Sequence, residues 1–166
     1  NIKVILVDDC SSDKTFEIKN TKMNFKLIYI RNNTNKGLSI TLERGFKKAF
    51  KISKRGDHIV TLDSDNTHPI EIIPSMLRKL KKENSDIVIA SRFLKKSRVN
   101  GLSLFRKSLS FFAKILFILI FPYKNLREYT CNFRIYKPIL VAELLKNKNF
   151  FKNEDFNIAA KILIFL

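Results

Sequence analysis

The chain has 166 residues, of which 45% are hydrophobic and 28% charged. That is enough apolar material for a domain with its own core, and it excludes a disordered or low-complexity polypeptide. Its 32 Lys and Arg outnumber 15 Asp and Glu, a formal charge of +17 that favours anionic partners such as nucleic acid, acidic lipid headgroups or phosphorylated substrates.

In chain order, Ile2–Val7 reads as a first strand running directly into the acidic segment VDDCSSDKT (Val7–Thr15). Within that segment Asp13 and Thr15 sit where a helix would begin and read as capping residues. Asp9 reads instead as a ligand contact. Lys26–Ile30 is a second strand, after which Leu38, Leu42, Phe46, Ala49 and Phe50 recur at helical spacing. A third strand, His58–Leu62, ends in a second acidic segment, LDSDNTHP (Leu62–Pro69). The helix beyond it carries Ile72, Ile73, Met76, Leu77 and Leu80, with Thr67 or His68 as its cap and Pro69 and Pro74 near its first turn. Ile87–Ala90 is a fourth strand. This alternation implies an α/β fold, a mainly parallel sheet flanked by helices.

Between Ile87 and Arg127 there are nine Lys or Arg and no Asp or Glu, so this stretch should carry a positive face. Within it an amphipathic helix is expected at about residues 103–121, with Leu109, Phe112, Leu116 and Ile120 along one face. Its longest apolar run, Ile115–Phe121, is far short of the roughly 20 residues that span a bilayer. Two readings of it stand: a helix packed on the sheet, or one lying in a membrane interface with Arg106, Lys107 and Lys114 toward headgroups. Cys10 and Cys131 lack metal-ligand spacing and read as buried free thiols in a reducing cytosol. Asn1 leads almost at once into a strand, and Ile162–Leu166 stops within an apolar run. The expectation is one domain over residues 1–166, incomplete at both ends.

The two acidic strand ends carry the chemical argument, because an open α/β sheet binds ligands just beyond the carboxyl ends of its strands. In LDSDNTHP the D-x-D pair Asp63 and Asp65 suits a hard divalent cation that keeps water and substrate phosphates as further ligands. Such a cation neutralises a diphosphate leaving group. Thr67 adds a hydroxyl, either to the ion or to a bound water. At the first strand end, Asp8 and Asp9 suit hydrogen bonds from a nucleobase N–H or a ribose hydroxyl. Arg92, Arg106 and Arg134 are candidates for bidentate phosphate contacts, which lysine cannot imitate. Arg106 and Ser110, spaced i, i+4, share one helix face. Each feature alone has an ordinary reading as a solvated turn, a cap or a surface arginine.

Taken in order, VDDCSSDKT, NKGLSITLERGFKKA (Asn35–Ala49), LDSDNTHPIEIIP (Leu62–Pro74), ASRF (Ala90–Phe93), the Arg106–Ser110 helix and REYTCNFRIYKP (Arg127–Pro138) resemble family 2 glycosyltransferases. The resemblance is to the dolichyl-phosphate mannosyltransferase-like branch, and it covers Ile2 to about Tyr136. It implies the Rossmann-like fold of nucleotide-diphospho-sugar transferases (GT-A). It implies that Asp8, Asp9, Gly37 and Asp63 lie at the nucleotide sugar, of GDP-mannose or UDP-glucose type, and that Asp63, Asp65 and Thr67 hold Mg2+ or Mn2+. Asp65, Arg92, Arg106, Ser110 and Arg134 would serve catalysis, the arginines and serine as phosphate contacts, and the Arg106 helix would lie on the membrane. The departures are Thr67 where Gln or Ser is usual, Asn132 where Gly or Ser is frequent, Lys161 where an acid is common, and no strand, helix and P-x-Y/F-N-E-type motif before VDD.

The leading expectation is therefore inverting transfer of a hexose from a nucleotide sugar to a polyprenyl phosphate at the membrane surface. The protein would be peripheral on the cytoplasmic face or tethered by segments outside this chain, with no nucleic acid as partner. A second reading replaces the lipid phosphate by a hydroxyl of a glycan, glycolipid or polysaccharide. That acceptor needs a general base, for which Glu154 and Asp155 are the late acidic pair. A third is a non-catalytic basic module binding membranes or nucleic acid, which accounts for the charge but not for two acidic strand ends.

Overall fold

The β-branched runs of the sequence become strands. The computed structural model describes residues 2–91, 112, 115–122, 126, 128–152 and 157–165. The chain divides into two compact units, Asn1–Ile59 with Lys137–Ile158 and Val60–Tyr136 with Ala159–Leu166.

In the first unit, β1 (Lys3–Asp8) and β2 (Lys26–Arg31) pair in parallel, with Lys3 opposite Lys26 and Asp8 opposite Arg31. A 3-10 turn, Lys14–Asn20, joins them, and Asp13 caps it by accepting from the Thr15 N–H. The expected capping role of Asp13 is thus what the structure contains. Helix α1 (Gly37–Ile52) packs on β1. Gly45 faces β1 there, and a Cβ on it would just touch Val7 Cγ2 at 3.4 Å. Helix α3 (Pro138–Lys146) also packs against α1. Phe46, Val141, Leu144, Phe150 and Phe151 are buried in this unit, with Phe46 edge-on to Phe151 at 6.2 Å. Ser39, inside α1, is also fully buried and donates to the Phe151 carbonyl at 2.8 Å, so its hydroxyl does not go unpaired.

In the second unit a three-stranded sheet has the order β3–β5–β4, from Ile59–Thr61, Arg134–Tyr136 and Ile87–Ile89. Helix α2 (Ile73–Lys82) covers β4 and has Pro74 in its first turn. Met76 and Leu80 from the helix meet Val88, Phe133 and Ile135 in the core of this unit. A last helix, α4 (Ile158–Phe165), is apolar on nearly every side, with Ala159, Ala160, Ile162 and Leu163 buried and Lys161 half-buried.

Three features differ from the sequence expectation. Strand β5 was not expected, and it runs antiparallel to β4 in the sheet of the second unit. Neither Thr67 nor His68 caps α2, whose entry is the 3-10 turn Ile70–Ile72 with no side-chain cap. The two cysteines are free but only half-buried. Of the amphipathic segment, residue 112 and residues 115–120 are helical, and Phe112, Leu116, Leu119 and Ile120 are exposed. Among the described residues no helix is long and apolar enough to cross a membrane. Arg92, Arg106, Ser110, Glu154 and Asp155 lie outside the described residues.

Candidate functional site

The first acidic loop leaves the C-terminal end of β1. Successive side chains of a strand point to opposite sides, so Asp8 and Asp9 diverge. Asp8 is buried, and both its oxygens are engaged. Oδ1 accepts from the Ser11 N–H at 2.8 Å, and Oδ2 accepts from the Tyr29 hydroxyl at 2.5 Å and lies 3.5 Å from Arg31 Nε. The Tyr29 bond above all, with Ser11 and Arg31, holds its carboxyl below the usual carboxylate range against the opposing effect of burial. The expectation that Asp8 contacts a nucleotide is corrected: this carboxylate fixes the loop from inside.

Asp9 turns the other way and is half-buried. Its Oδ1 accepts from Asn32 Nδ2 at 2.5 Å and from the Lys36 N–H at 2.8 Å, and its Oδ2 accepts from the Gly37 N–H at 2.8 Å. Asp9 and Gly37 are thus brought together. The Thr41 hydroxyl is a fourth partner of this carboxylate. Lys36, the N-cap of α1, offers no side-chain cap, and Asp9 supplies the anion to this helix end from across the loop. Gly37 has φ of +81°, a conformation that suits glycine. Asn32, buried at the end of β2, is held in turn by Arg44, which donates to its Oδ1.

Cys10, between this pair and Ser11, also has a positive φ, +66°, which strains a residue bearing a Cβ. Its thiol lies 3.5 Å from the Asn33 carbonyl and also interacts with the Arg31 guanidinium. Cys10→Gly should therefore raise stability by up to about 1 kcal/mol, read as a higher thermal midpoint. A lower midpoint would show that the thiol contact outweighs the strain.

The second acidic loop leaves the C-terminal end of β3 and carries Asp63, Asp65 and Thr67, of which it brings Asp65 and Thr67 into contact. The Asp63 side chain is 44% exposed. Asp65 is exposed and receives on Oδ1 both the Thr67 N–H at 3.0 Å and the Thr67 hydroxyl at 2.7 Å. These bonds hold the Asp65 carboxyl below its usual range. Asn66 between them takes φ of +60°, which Asn tolerates. Among the described residues no cluster of three or more His, Cys, Asp or Glu could cage a metal. Two open carboxylates are nonetheless the usual protein share of a Mg2+ site, since that ion retains water and phosphate oxygens. The donor set fits a hard divalent cation. The hydroxyl of Thr67 gives its proton to Asp65 and keeps its own lone pairs as acceptors.

Arg134 was expected at a phosphate, and the structure corrects this. It is 0% exposed. Its guanidinium donates from Nε to the Cys131 carbonyl at 2.6 Å, from one terminal nitrogen to Ala159 at 2.8 Å and from the other to Tyr129 at 2.9 Å. The fork that suits phosphate here binds three main-chain oxygens instead. Buried Glu128 does the complementary work in the same turn, accepting from the Thr130 hydroxyl at 3.0 Å and from the Thr130 and Cys131 N–H groups, both at 3.2 Å.

The sequence reading missed Tyr29, Asn32 and His68 as partners of the acidic residues. For the first two a signal existed. Parallel pairing of consecutive strands with aligned ends brings the residues closing β2 beside those closing β1.

Each unit carries an acidic loop at the carboxyl end of a strand, the place where open α/β sheets bind ligands. The sequence matches Glycosyl transferase family 2 over residues 1–144, and the chain belongs to that family, whose members have the Rossmann-like GT-A fold. It is 37% identical over 111 residues to a dolichol-phosphate mannosyltransferase of Pyrococcus furiosus, an alignment covering 66% of this chain and 30% of that protein. It is 35% identical over 159 residues to an uncharacterized protein of Methanocaldococcus jannaschii, covering 90% of this chain and 64% of the other. A dolichol-phosphate mannosyltransferase of Mycosarcoma maydis is 32% identical over 95 residues, covering 56% and 30%. The chain thus spans about a third of the length of the two named mannosyltransferases.

Proposed function

We propose that this chain carries the donor-binding part of an inverting hexosyltransferase, which moves a hexose from a nucleotide-diphospho-sugar to a polyprenyl phosphate at a membrane surface. The observation that carries the reading is the open Asp63–Asp65 pair at the end of β3 in a family 2 chain that is similar to dolichol-phosphate mannosyltransferases. Asp63 and Asp65, with the Thr67 oxygen, would hold Mg2+ or Mn2+. When bound, the ion neutralises charge on the departing nucleoside diphosphate. Asp9 would face the nucleobase or ribose of the donor, and the Gly37 N–H keeps that carboxylate in place. Arg92, Arg106 and Ser110 would collect phosphate oxygens of the donor or the acceptor.

An acceptor phosphate is already anionic near neutral pH and needs no base. The protein's part is positioning and electrostatic compensation. The exposed Phe112, Leu116, Leu119 and Ile120 support contact with a lipid surface.

The test uses the full-length parent protein in detergent, with labelled nucleotide sugars, polyprenyl phosphate and Mn2+. Label should pass to the organic phase, and chelation should stop it. Asp65→Ala should weaken Mn2+-dependent nucleotide-sugar binding by about tenfold or more without lowering the thermal midpoint, since Asp65 is exposed. Label appearing only on hydroxyl acceptors would replace the lipid phosphate by a glycan. Nucleotide-sugar binding indifferent to metal and to Asp65→Ala would overturn the cation site.

A further inference from the structure

The loop that carries Asp63 is closed by His68, for which neither the family match nor the donor set supplies a role. The ring is stacked on Phe133, with centroids 5.0 Å apart and planes 22° from parallel. Phe133 is a buried member of the core beneath α2. The His68 side chain is accordingly only 14% exposed. From this anchored position Nδ1 accepts the Asp63 main-chain N–H at 3.1 Å, and Nε2 lies 3.8 Å from Asp63 Oδ2. Accepting at Nδ1 puts the proton of the neutral ring on Nε2, the nitrogen nearer the carboxylate. One imidazole therefore engages both the backbone and the side chain of the same aspartate.

The opposite oxygen of that carboxylate, Oδ1, is 3.5 Å from Asn132 Nδ2. Asn132 is itself fixed, because its carbonyl accepts from the Thr61 hydroxyl at 2.6 Å. Asp63 is thus flanked on both oxygens by groups held to the sheet, while close to half of its side chain stays open. Asp65, by contrast, is held by two bonds from Thr67 within its own turn.

We infer that His68 is a positioning residue which sets Asp63 for a divalent cation, acting through its Nδ1 acceptor rather than through its bulk. The inference rests on the reading of Asp63 and Asp65 as the cation-holding pair. Partners that orient a metal-ligating carboxylate typically contribute ten- to a hundredfold in metal affinity. Asp63 would then be preset, and Asp65 would adjust when the ion arrives.

The experiment is a Mn2+ titration of the parent protein with saturating nucleotide sugar, followed by the loss of the free-ion electron paramagnetic resonance signal. His68→Phe keeps a ring over Phe133 but has no acceptor, and it should weaken Mn2+ by about tenfold. His68→Asn places an amide oxygen near the position of Nδ1 and should stay within about threefold of the parent. In turnover, His68→Phe should raise the Mn2+ concentration for half-maximal rate and leave the rate at saturating Mn2+ nearly unchanged. Parent-like Mn2+ affinity in His68→Phe overturns the role of His68 alone. No Mn2+ binding by the parent overturns the cation reading and this inference with it. Should His68→Phe fail to fold, His68→Gln, whose amide oxygen is displaced by one methylene, takes its place: weaker Mn2+ binding than in His68→Asn supports the role, and equal affinity in the two overturns it.

Discussion

Arg134→Ala should destabilise the protein by about 3–5 kcal/mol, the largest single-residue effect expected in this chain. The guanidinium is fully buried, and its donors serve the carbonyls of Tyr129, Cys131 and Ala159. Truncation removes every one of those donors and leaves three main-chain oxygens unsatisfied where water does not replace the lost partner. It also opens a cavity beside Tyr136, which is about 1% exposed. Arg134→Lys keeps the charge but has a single ammonium in place of a planar fork, and should recover less than half of the loss. Urea unfolding midpoints of the three proteins measure this. A parent-like midpoint for Arg134→Ala, together with lost nucleotide-sugar binding, would restore the phosphate role and contradict the packing described above.

The same residue shows why part of the site could not be read from the amino-acid order. Arginine beside a strand end is chemically apt for phosphate, and nothing in TCNFRIYKP distinguishes an outward guanidinium from one folded back onto its own turn. Strand β5 was missed for a related reason: it is three residues long and begins with that arginine. By contrast β1, β2, β3 and β4 were legible as runs of Val and Ile, and α1 and α2 from apolar spacing. Their bounds agree to within a residue or two at nearly every end. The family was legible as well, because its motifs keep their order along the chain. Asp8 and Asp9 separate where strand alternation sends adjacent side chains to opposite sides, but choosing which of them turns inward required the positions of Tyr29 and Asn32. His68 was read as a cap because it precedes Pro69. Its actual partner, five residues back, depends on the left-handed turn at Asn66.

Asp9→Ala is the second large effect, about 2–3 kcal/mol. The carboxylate accepts from Asn32, Lys36 and Gly37, and the last two are main-chain donors at the start of α1. Without it the Lys36 N–H loses its partner, the Gly37 N–H keeps only the longer bond to Asn35 Oδ1 at 3.1 Å, and the helix dipole loses its anion. Asp9→Asn can accept on one oxygen only and should lie between parent and Ala. The pH dependence follows from direction alone. Burial tends to raise the Asp9 pKa, but the bonds from Asn32, Lys36 and Gly37 outweigh it and hold the group below its usual value. Asp8 is lowered too, foremost by Tyr29. In the unfolded chain both titrate near their ordinary value of about 4. Between that value and the lower folded ones the unfolded state binds more protons than the native state. The stabilisation is therefore complete above about pH 4 and is lost as pH falls through the depressed folded values. Urea midpoints taken from pH 6 down to about pH 3 should drop steeply for the parent and less steeply for Asp9→Ala, which has one fewer linked carboxylate. Parallel curves for the two proteins would mean that Asp9 does not hold the α1 entrance in its charged form.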